Sequence, residues 1–273
     1  MIRDDYMIPV TSGQAVSVGW GSEGAPQGVT WHWTAGSTLA GCRATLGGAN
    51  AARKGEASAH YGIGRTLAEG VDRYVALDNR SWHAGKNQVL DYEGRAPVAR
   101  RTGSRTTIGV EVVHVGYART GVPVHPDAIE VASPDGKQTL RVAPWPEEQI
   151  AMCIEVGKEI LAKYPDIPQY AHHGHSDLCP GYKLDSLGFP FARVIRGIYD
   201  DPSVPDDWSR YLTVRQRQQA LMDLGYYIGP MCVDGSWGSY SDAALRKFQA
   251  KAGHPVNGYW TIWTSRAVTA RLA

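Results

Sequence analysis

Residues 195–209 read Ile-Arg-Gly-Ile-Tyr-Asp-Asp-Pro-Ser-Val-Pro-Asp-Asp-Trp-Ser, and they constrain the fold more than any other stretch. Two prolines and four aspartates without apolar periodicity suit neither a central strand nor a helix interior, so the chain is expected to divide there. Before the break, strand-like and helix-like patterns alternate, which predicts an α/β domain; from Thr213 onward, short helical patterns are separated by Gly-rich turns. The expected organisation is a domain over 1–200, a linker over 201–211 and a small three-helix domain over 212–273. The 273 residues suffice for two cores.

Gly28-Val-Thr-Trp-His-Trp-Thr34 alternates, with Val29, Trp31 and Trp33 on one face and Thr30, His32 and Thr34 on the other. Further strands are expected over 57–63, 72–77 and, most strongly, 107–115, where Ile108, Val110, Val112 and His114 share a face and Glu111 lies on the opposite one beside Gly109. A carboxylate next to a glycine has room for a ligand. Pro146 to Tyr164 predicts a helix, because Pro146 suits the first turn, Glu147 and Glu148 complement the dipole, and Ile150, Cys153, Ile154, Gly157 and Ile160 form a stripe. A weaker helix over 38–53 is interrupted by Gly47 and Gly48. The polar stretch 117–140 is expected to wall a site.

Charge excludes some functions. Twenty-eight basic against 27 acidic residues give a net charge of +1, so no nucleic-acid footprint or long-range membrane attraction is expected. Residues 1–10 carry two acids and no apolar run of signal length, and no later segment approaches a membrane span. Synthesis as a soluble cytoplasmic chain is expected. Cys42, Cys153, Cys179 and Cys232 form no Cys-x-x-Cys pair and are expected as reduced thiols.

Chemistry concentrates in Gly174-His-Ser-Asp-Leu-Cys-Pro-Gly-Tyr-Lys-Leu-Asp185. Asp185 lies ten positions after His175 (185 − 175), too far for one helix face but within reach across a folded loop. With His32 from a distant strand, two imidazoles and one carboxylate would bind Zn2+ and leave a fourth position open for water. An isolated His or Asp is more often a surface residue. Several motifs occurring together reverse that weighting.

Thr30-Trp-His-Trp-Thr-Ala-Gly36, Ser58-Ala-His-Tyr61, Ser81-Trp-His-Ala-Gly85, Ile108-Gly-Val-Glu111 and the 174–185 run follow in an order that resembles the N-acetylmuramoyl-L-alanine amidase type 2 family, related to peptidoglycan recognition proteins. The similarity spans roughly residues 25–195. It implies a mixed central sheet flanked by helices, with His32, His175 and Asp185 as zinc ligands and Glu111 and Lys183 as catalytic helpers. Cys179, directly before Pro180-Gly181, competes with Asp185, because another branch of the family uses a cysteine there; the Lys-x-ligand spacing favours Asp185. The resemblance also makes Trp82 and His83 candidates for substrate contact, with His60 either a third contact or a buried residue bonded to backbone. His173 and Asp177 are candidates for orienting a zinc ligand.

Residues 212–272 resemble a peptidoglycan-binding domain of three short helices. Val233-Asp-Gly-Ser-Trp-Gly and Val256-Asn-Gly-Tyr-Trp form two related turns, an approximate internal duplication, and Ser239-x-x-Asp242 reads as a capping box. Trp237, Tyr240 and Trp260 are the candidate wall-binding aromatics, alongside Tyr226 and Tyr227. Together the resemblances imply a monomeric zinc amidase cutting peptidoglycan between N-acetylmuramic acid and L-alanine. It would be a phage endolysin made in the host cytoplasm and released through a holin. A non-catalytic peptidoglycan receptor and a cytoplasmic muropeptide-recycling amidase are the alternatives. Complete ligands disfavour the first, and a wall-binding domain the second.

Overall fold

In the computed structural model, the described residues are 2–10, 15–48, 57–85, 103–209 and 211–273. Their elements run β1 (Ile2–Arg3), β2 (Val16–Ser17), β3 (Gly28–Trp33), α1 (Leu39–Leu46), β4 (Tyr61–Ile63), β5 (Val71–Arg73), β6 (Arg80–Ser81), α2 (Gly103–Thr106) and β7 (Thr107–Val112). There follow β8 (Ile129–Ala132), β9 (Thr139–Val142), α3 (Glu147–Lys163), β10 (His172–Gly174), α4 (His175–Leu178), α5 (Phe191–Tyr199), α6 (Val214–Asp223), α7 (Ser239–Ala252) and α8 (Ile262–Leu272).

Six strands form a mixed sheet in the order β1-β5-β4-β7-β3-β10. Strands β4, β7, β3 and β10 pair in parallel, while β5 runs antiparallel to β4. The apolar residues expected on one face of β3 and β7 do share it. Val29, Trp31, Ile108 and Val110 join the buried stripe of α3 (Ile150, Cys153, Val156, Ile160) and Val194, Ile195 and Ile198 of α5 in one core. Each such fully buried aliphatic side chain contributes roughly 1.5–3 kcal/mol of transfer free energy. The opposite face carries Thr30, His32, Gly109 and Glu111, and α1 closes part of it through Leu39 and Cys42, packed with Tyr74 and Val113.

Several expectations change. Helix α1 stops at Leu46, where Gly47 turns extended (φ −96°, ψ 172°); both glycines are required by close packing, since a Cβ at Gly47 would meet Arg43 O at 2.9 Å and one at Gly48 would meet Met7 O at 2.5 Å. Residues 49–53 of the expected helix lie outside the described ones. The stretch 117–140 contributes β8 to an antiparallel hairpin with β9, and this hairpin meets the helical region: Arg217 donates to Ala132 O at 2.9 Å and Ser133 O at 2.7 Å, and Trp260 N–H to Pro134 O at 2.7 Å. The 201–209 segment is packed through Val204, which lies in the main core, and Arg196 donates to its carbonyl at 2.8 Å.

The duplicated turns of the helical region share one device. Gln218 of α6 donates to Asp234 Oδ1 at 2.8 Å and accepts from Gly235 N–H at 2.8 Å; Gln249 of α7 donates to Asn257 Oδ1 at 3.0 Å and accepts from Gly258 N–H at 3.0 Å. Gly235 (φ 82°) and Gly258 (φ 74°) supply the left-handed backbone these turns need. Ser239 is the first residue of α7, preceded by the N-cap Gly238, so the expected capping box does not form; Asp242 instead pairs with Arg246 at 2.7 Å. All four cysteines are free, Cys232 alone being exposed.

Three histidines belong to the framework. His60 accepts from Gly109 N–H at 3.0 Å and donates to Asn79 O at 3.0 Å. His114 accepts from Gly116 N–H and donates to Ala143 O, both at 3.0 Å. His172 accepts from the Trp31 indole at 3.3 Å and donates to the Tyr199 hydroxyl at 3.0 Å. Burial holds the first two down to about 4 and His172 to about 3.

Two outcomes follow from these contacts. Gln249→Leu leaves the Asn257 and Gly258 amides without their acceptor and should cost about 1–3 kcal/mol in urea unfolding. Because the folded imidazoles sit below the unfolded value near 6.5, the unfolded chain takes up protons first as pH falls. Stability is therefore fully present above about 6.5 and lost toward 4, or toward 3 for His172, on the order of 3–5 kcal/mol per site. Melting temperature followed through that window should fall, and a flat profile would contradict the neutral buried imidazoles.

Candidate active site

Parallel pairing of β3 with β7 sets His32 directly beside Glu111. Parallel pairing of β3 with β10 brings in the other histidine, since His175 begins α4 immediately after β10. The loop beyond α4 then folds back, held by Ser176 N–H donating to the Asp185 carbonyl and by Ser186 Oγ donating to Trp31 O at 3.2 Å. Asp185 Oδ2 consequently stands 3.0 Å from His32 Nδ1 and 3.1 Å from His175 Nδ1. Donor atoms of these three residues lie within 4.8 Å of one another, and Cys179 is not among them. Cys179 is buried, which pushes its thiol up to about 11.

The proton arrangement tests whether a cation fits. Thr107 O can only accept, so His83 Nε2, at 2.9 Å, carries the proton. Burial and the neighbouring His32 and His60 hold His83 well below the ordinary imidazole range, hence neutral, and its Nδ1 is an acceptor. His32 Nε2, at 2.9 Å from that Nδ1, is therefore the donor, and burial pushes His32 down to about 4. His32 Nδ1 is left with a lone pair facing the carboxylate of Asp185, two acceptors with no proton between them. Burial opposes ionisation of Asp185, but the nearness of the His175 and His32 rings outweighs it and keeps the carboxyl well below its usual range. Two imidazole nitrogens and an ionised carboxylate, clustered and only 2% exposed at His32, match the donor chemistry of a zinc site.

Beside these donors opens a cleft of about 600 Å3 that Glu111, Lys183 and His83 also line. Burial pushes Glu111 up to about 8, Asp185 adds to the shift, and Lys183 opposes it. The other wall includes small positions, Thr34, Gly36, Ser37 and Thr38 between β3 and α1 and Gly41 and Thr45 on α1, alongside Trp33, Cys42 and Leu46. These were not singled out from the sequence as site residues, although Thr34 and Gly36 close the motif around His32. No residue of 117–140 lines the cleft, so that stretch is not its wall.

The remaining candidates separate by burial. His83 lines the cleft, yet it also buttresses His32. Gly109 has no free space above it, contrary to the room for a ligand expected there: a Cβ would fall 2.3 Å from the His83 ring, which occupies the position. His60 is fully buried with both ring nitrogens bonded, which removes it from substrate contact. Trp82 is 41% exposed, its indole donating to Ser17 Oγ at 2.9 Å, and does not line the cleft. Among the wall-binding candidates, Tyr240 is 52% exposed and packs edge-on against Tyr227 at 5.5 Å. Trp237 is half-buried over Gly136. Trp260, only 4% exposed, sits inside the helical core and offers no face; Tyr226 packs against the same core.

Known proteins align with this picture. Residues 22–183 match the family model described as N-acetylmuramoyl-L-alanine amidase, and residues 211–268 match that of a peptidoglycan binding domain. No curated protein matches. Among solved structures, the N-acetylmuramyl-L-alanine amidase AmiD of E. coli, in complex with a substrate, aligns at a TM-score of 0.50 with 18% identity, covering 94% of this chain and 97% of AmiD. AmpDh3 of Pseudomonas aeruginosa aligns at 0.47 with 22% identity over 90% of each chain, and PlyL at 0.44 with 15% identity over 72% of this chain and 96% of its own. The likeness to AmiD is one of fold.

Gly109→Ala drives a methyl into His83 and should thereby loosen the hold on His32. Zinc affinity measured against a chromophoric chelator should drop about tenfold. Unchanged affinity would mean that His83 does not support His32.

Proposed function

The chain belongs to the N-acetylmuramoyl-L-alanine amidase family, and on that premise we propose that it is a zinc-dependent hydrolase of the bond between N-acetylmuramic acid and L-alanine in peptidoglycan, acting as a phage endolysin. The observation that carries this reading is the meeting of His32, His175 and Asp185 at a cleft that Glu111 and Lys183 also line.

His32, His175 and Asp185 would hold the ion. An ion held there would supply Lewis acidity for a carbonyl and a lowered pKa for water. Glu111, largely buried beside His32, would be drawn back to its ionised form by the charge of an ion held there, and as a carboxylate it accepts the proton of the attacking water and returns it to the departing amide nitrogen. Lys183 presents its ammonium to the carbonyl oxygen as that oxygen gains negative charge. Water thus adds hydroxyl to the carbonyl carbon and hydrogen to the nitrogen, giving a carboxylate on the muramic acid and a free amine on the peptide. The small side chains from Thr34 to Thr45 leave room for the peptide to lie along the cleft.

We assign catalysis to residues 1–200 and wall binding to 212–273, joined through 201–211, with Tyr240 and Tyr227 as the accessible aromatic pair and Trp237 beside them. The peptidoglycan-binding match supports action on intact wall rather than on soluble fragments. Among the described residues no helix is long and apolar enough to cross a membrane; release through a holin is the route proposed to the wall.

Purified protein should clear a peptidoglycan suspension, lose that activity to a chelator and regain it with zinc, and mass spectrometry should find a new amino-terminal alanine on the stem peptide. Binding without clearing under every condition would make it a receptor. Asp185→Ala should lose both zinc and activity, whereas Glu111→Gln should keep zinc and lose about a hundredfold or more in kcat. Zinc retained by Asp185→Ala and lost by Cys179→Ser would transfer the third ligand to Cys179.

A further inference from the structure

Strand β10 is the edge of the six-stranded sheet, three residues long, and it delivers His175. Its inner side pairs with β3. On its outer side the last helix of the chain meets the strand at His172 and the residues just before it. Arg266 of α8 donates to the carbonyls of Tyr170 and His172, the latter at 2.9 Å. The Trp263 indole donates to Tyr170 O at 3.3 Å, and its ring lies 5.2 Å from that of His173. His173 Nε2 in turn is hydrogen-bonded to Thr30 Oγ1 at 2.9 Å, two residues before His32.

A second tie acts from the other end of the same segment. Asp177, two positions beyond His175, accepts from Gly174 N–H through Oδ2 at 2.7 Å and from Ile262 N–H at the start of α8 through Oδ1 at 2.8 Å. Residues 170–177, with His175 among them, are therefore bracketed between two contacts to one helix. Ile262 and Trp263 also join the sheet's core rather than the core of the helical region.

We propose that α8 belongs to the support of the metal site: Arg266 and Asp177 are positioning residues that fix where β10 and α4 present His175 to Asp185 and His32. The C-terminal region then contributes to metal affinity and turnover as well as to wall attachment. This rests on the zinc-site reading above. A small displacement of a buried ligand strand matters because a donor must reach its place within a few tenths of an ångström.

The experiment uses the full-length chain and two arginines of the same seam. Arg266 touches the His175 segment, while Arg217 joins α6 to the β8–β9 hairpin. Arg266→Gln should weaken zinc about tenfold in chelator competition. It should also alter the visible spectrum of the cobalt-substituted protein and lower kcat on a soluble muropeptide, with KM and peptidoglycan pull-down unchanged. Arg217→Gln should keep the parent's zinc affinity. Parent-like zinc binding and cobalt spectrum in Arg266→Gln would overturn the proposal, as would an equal loss in Arg217→Gln, which would signal general loosening. Should Arg266→Gln fail to fold, Trp263→Phe removes the indole bond to Tyr170 O and part of the ring contact with His173; unchanged zinc affinity there would also overturn the proposal. The zinc readout stands apart from the reaction. A protein that binds zinc but cuts no muropeptide refutes the amidase reading alone.

Discussion

Parallel pairing between β3 and β7 places His32 opposite Glu111 and Thr30 opposite Gly109, and the site depends on that register. A one-residue slip of β3 would carry His32 into the apolar core and turn Trp31 toward the cleft, and a slip of β7 would do the same to Glu111 and Val110. Burial enforces the register: Val29, Trp31, Ile108 and Val110 are wholly excluded from water against α3 and α5. The packing that stabilises the fold and the placement of the chemistry are therefore one constraint, read on the two faces of the same strands.

Among the buried histidines the scarce resource is hydrogen-bonding capacity. His60, His114 and His172 have both ring nitrogens committed to framework partners and remain neutral through burial. His83 is intermediate, anchored to Thr107 O on one side and to His32 on the other. His32 is left with an acceptor nitrogen facing the Asp185 carboxylate, and that imbalance is what a divalent cation relieves.

The two halves of the chain are joined by polar contacts aimed at backbone. Arg217 and Arg266 both donate to carbonyls of the sheet domain, and Asp177 accepts from an amide at the start of α8. Buried charged groups of this kind are costly to break, because removal of one partner strands the other in a dry seam. A helix that reaches the edge strand beside His175 couples the placement of the helical region to the geometry of the metal donors.

The sequence by itself determined the alternating faces of β3 and β7, the stripe of α3, the three C-terminal helices and the residues that would converge, because these rest on local periodicity and on motifs read in order. The third donor was narrowed to Asp185 or Cys179, and geometry separates them: Asp185 approaches both imidazoles while Cys179 lies outside the donor group. Only the tertiary structure decided that His83 fills the space over Gly109, that Trp260 is interior, that the 117–140 stretch faces the helical region, and that α8 holds the edge of the sheet. Those outcomes depend on contacts between residues far apart in the chain, such as Asp177 with Ile262 or Arg266 with His172, and no local pattern of apolar and polar residues records which distant backbone group a side chain will meet.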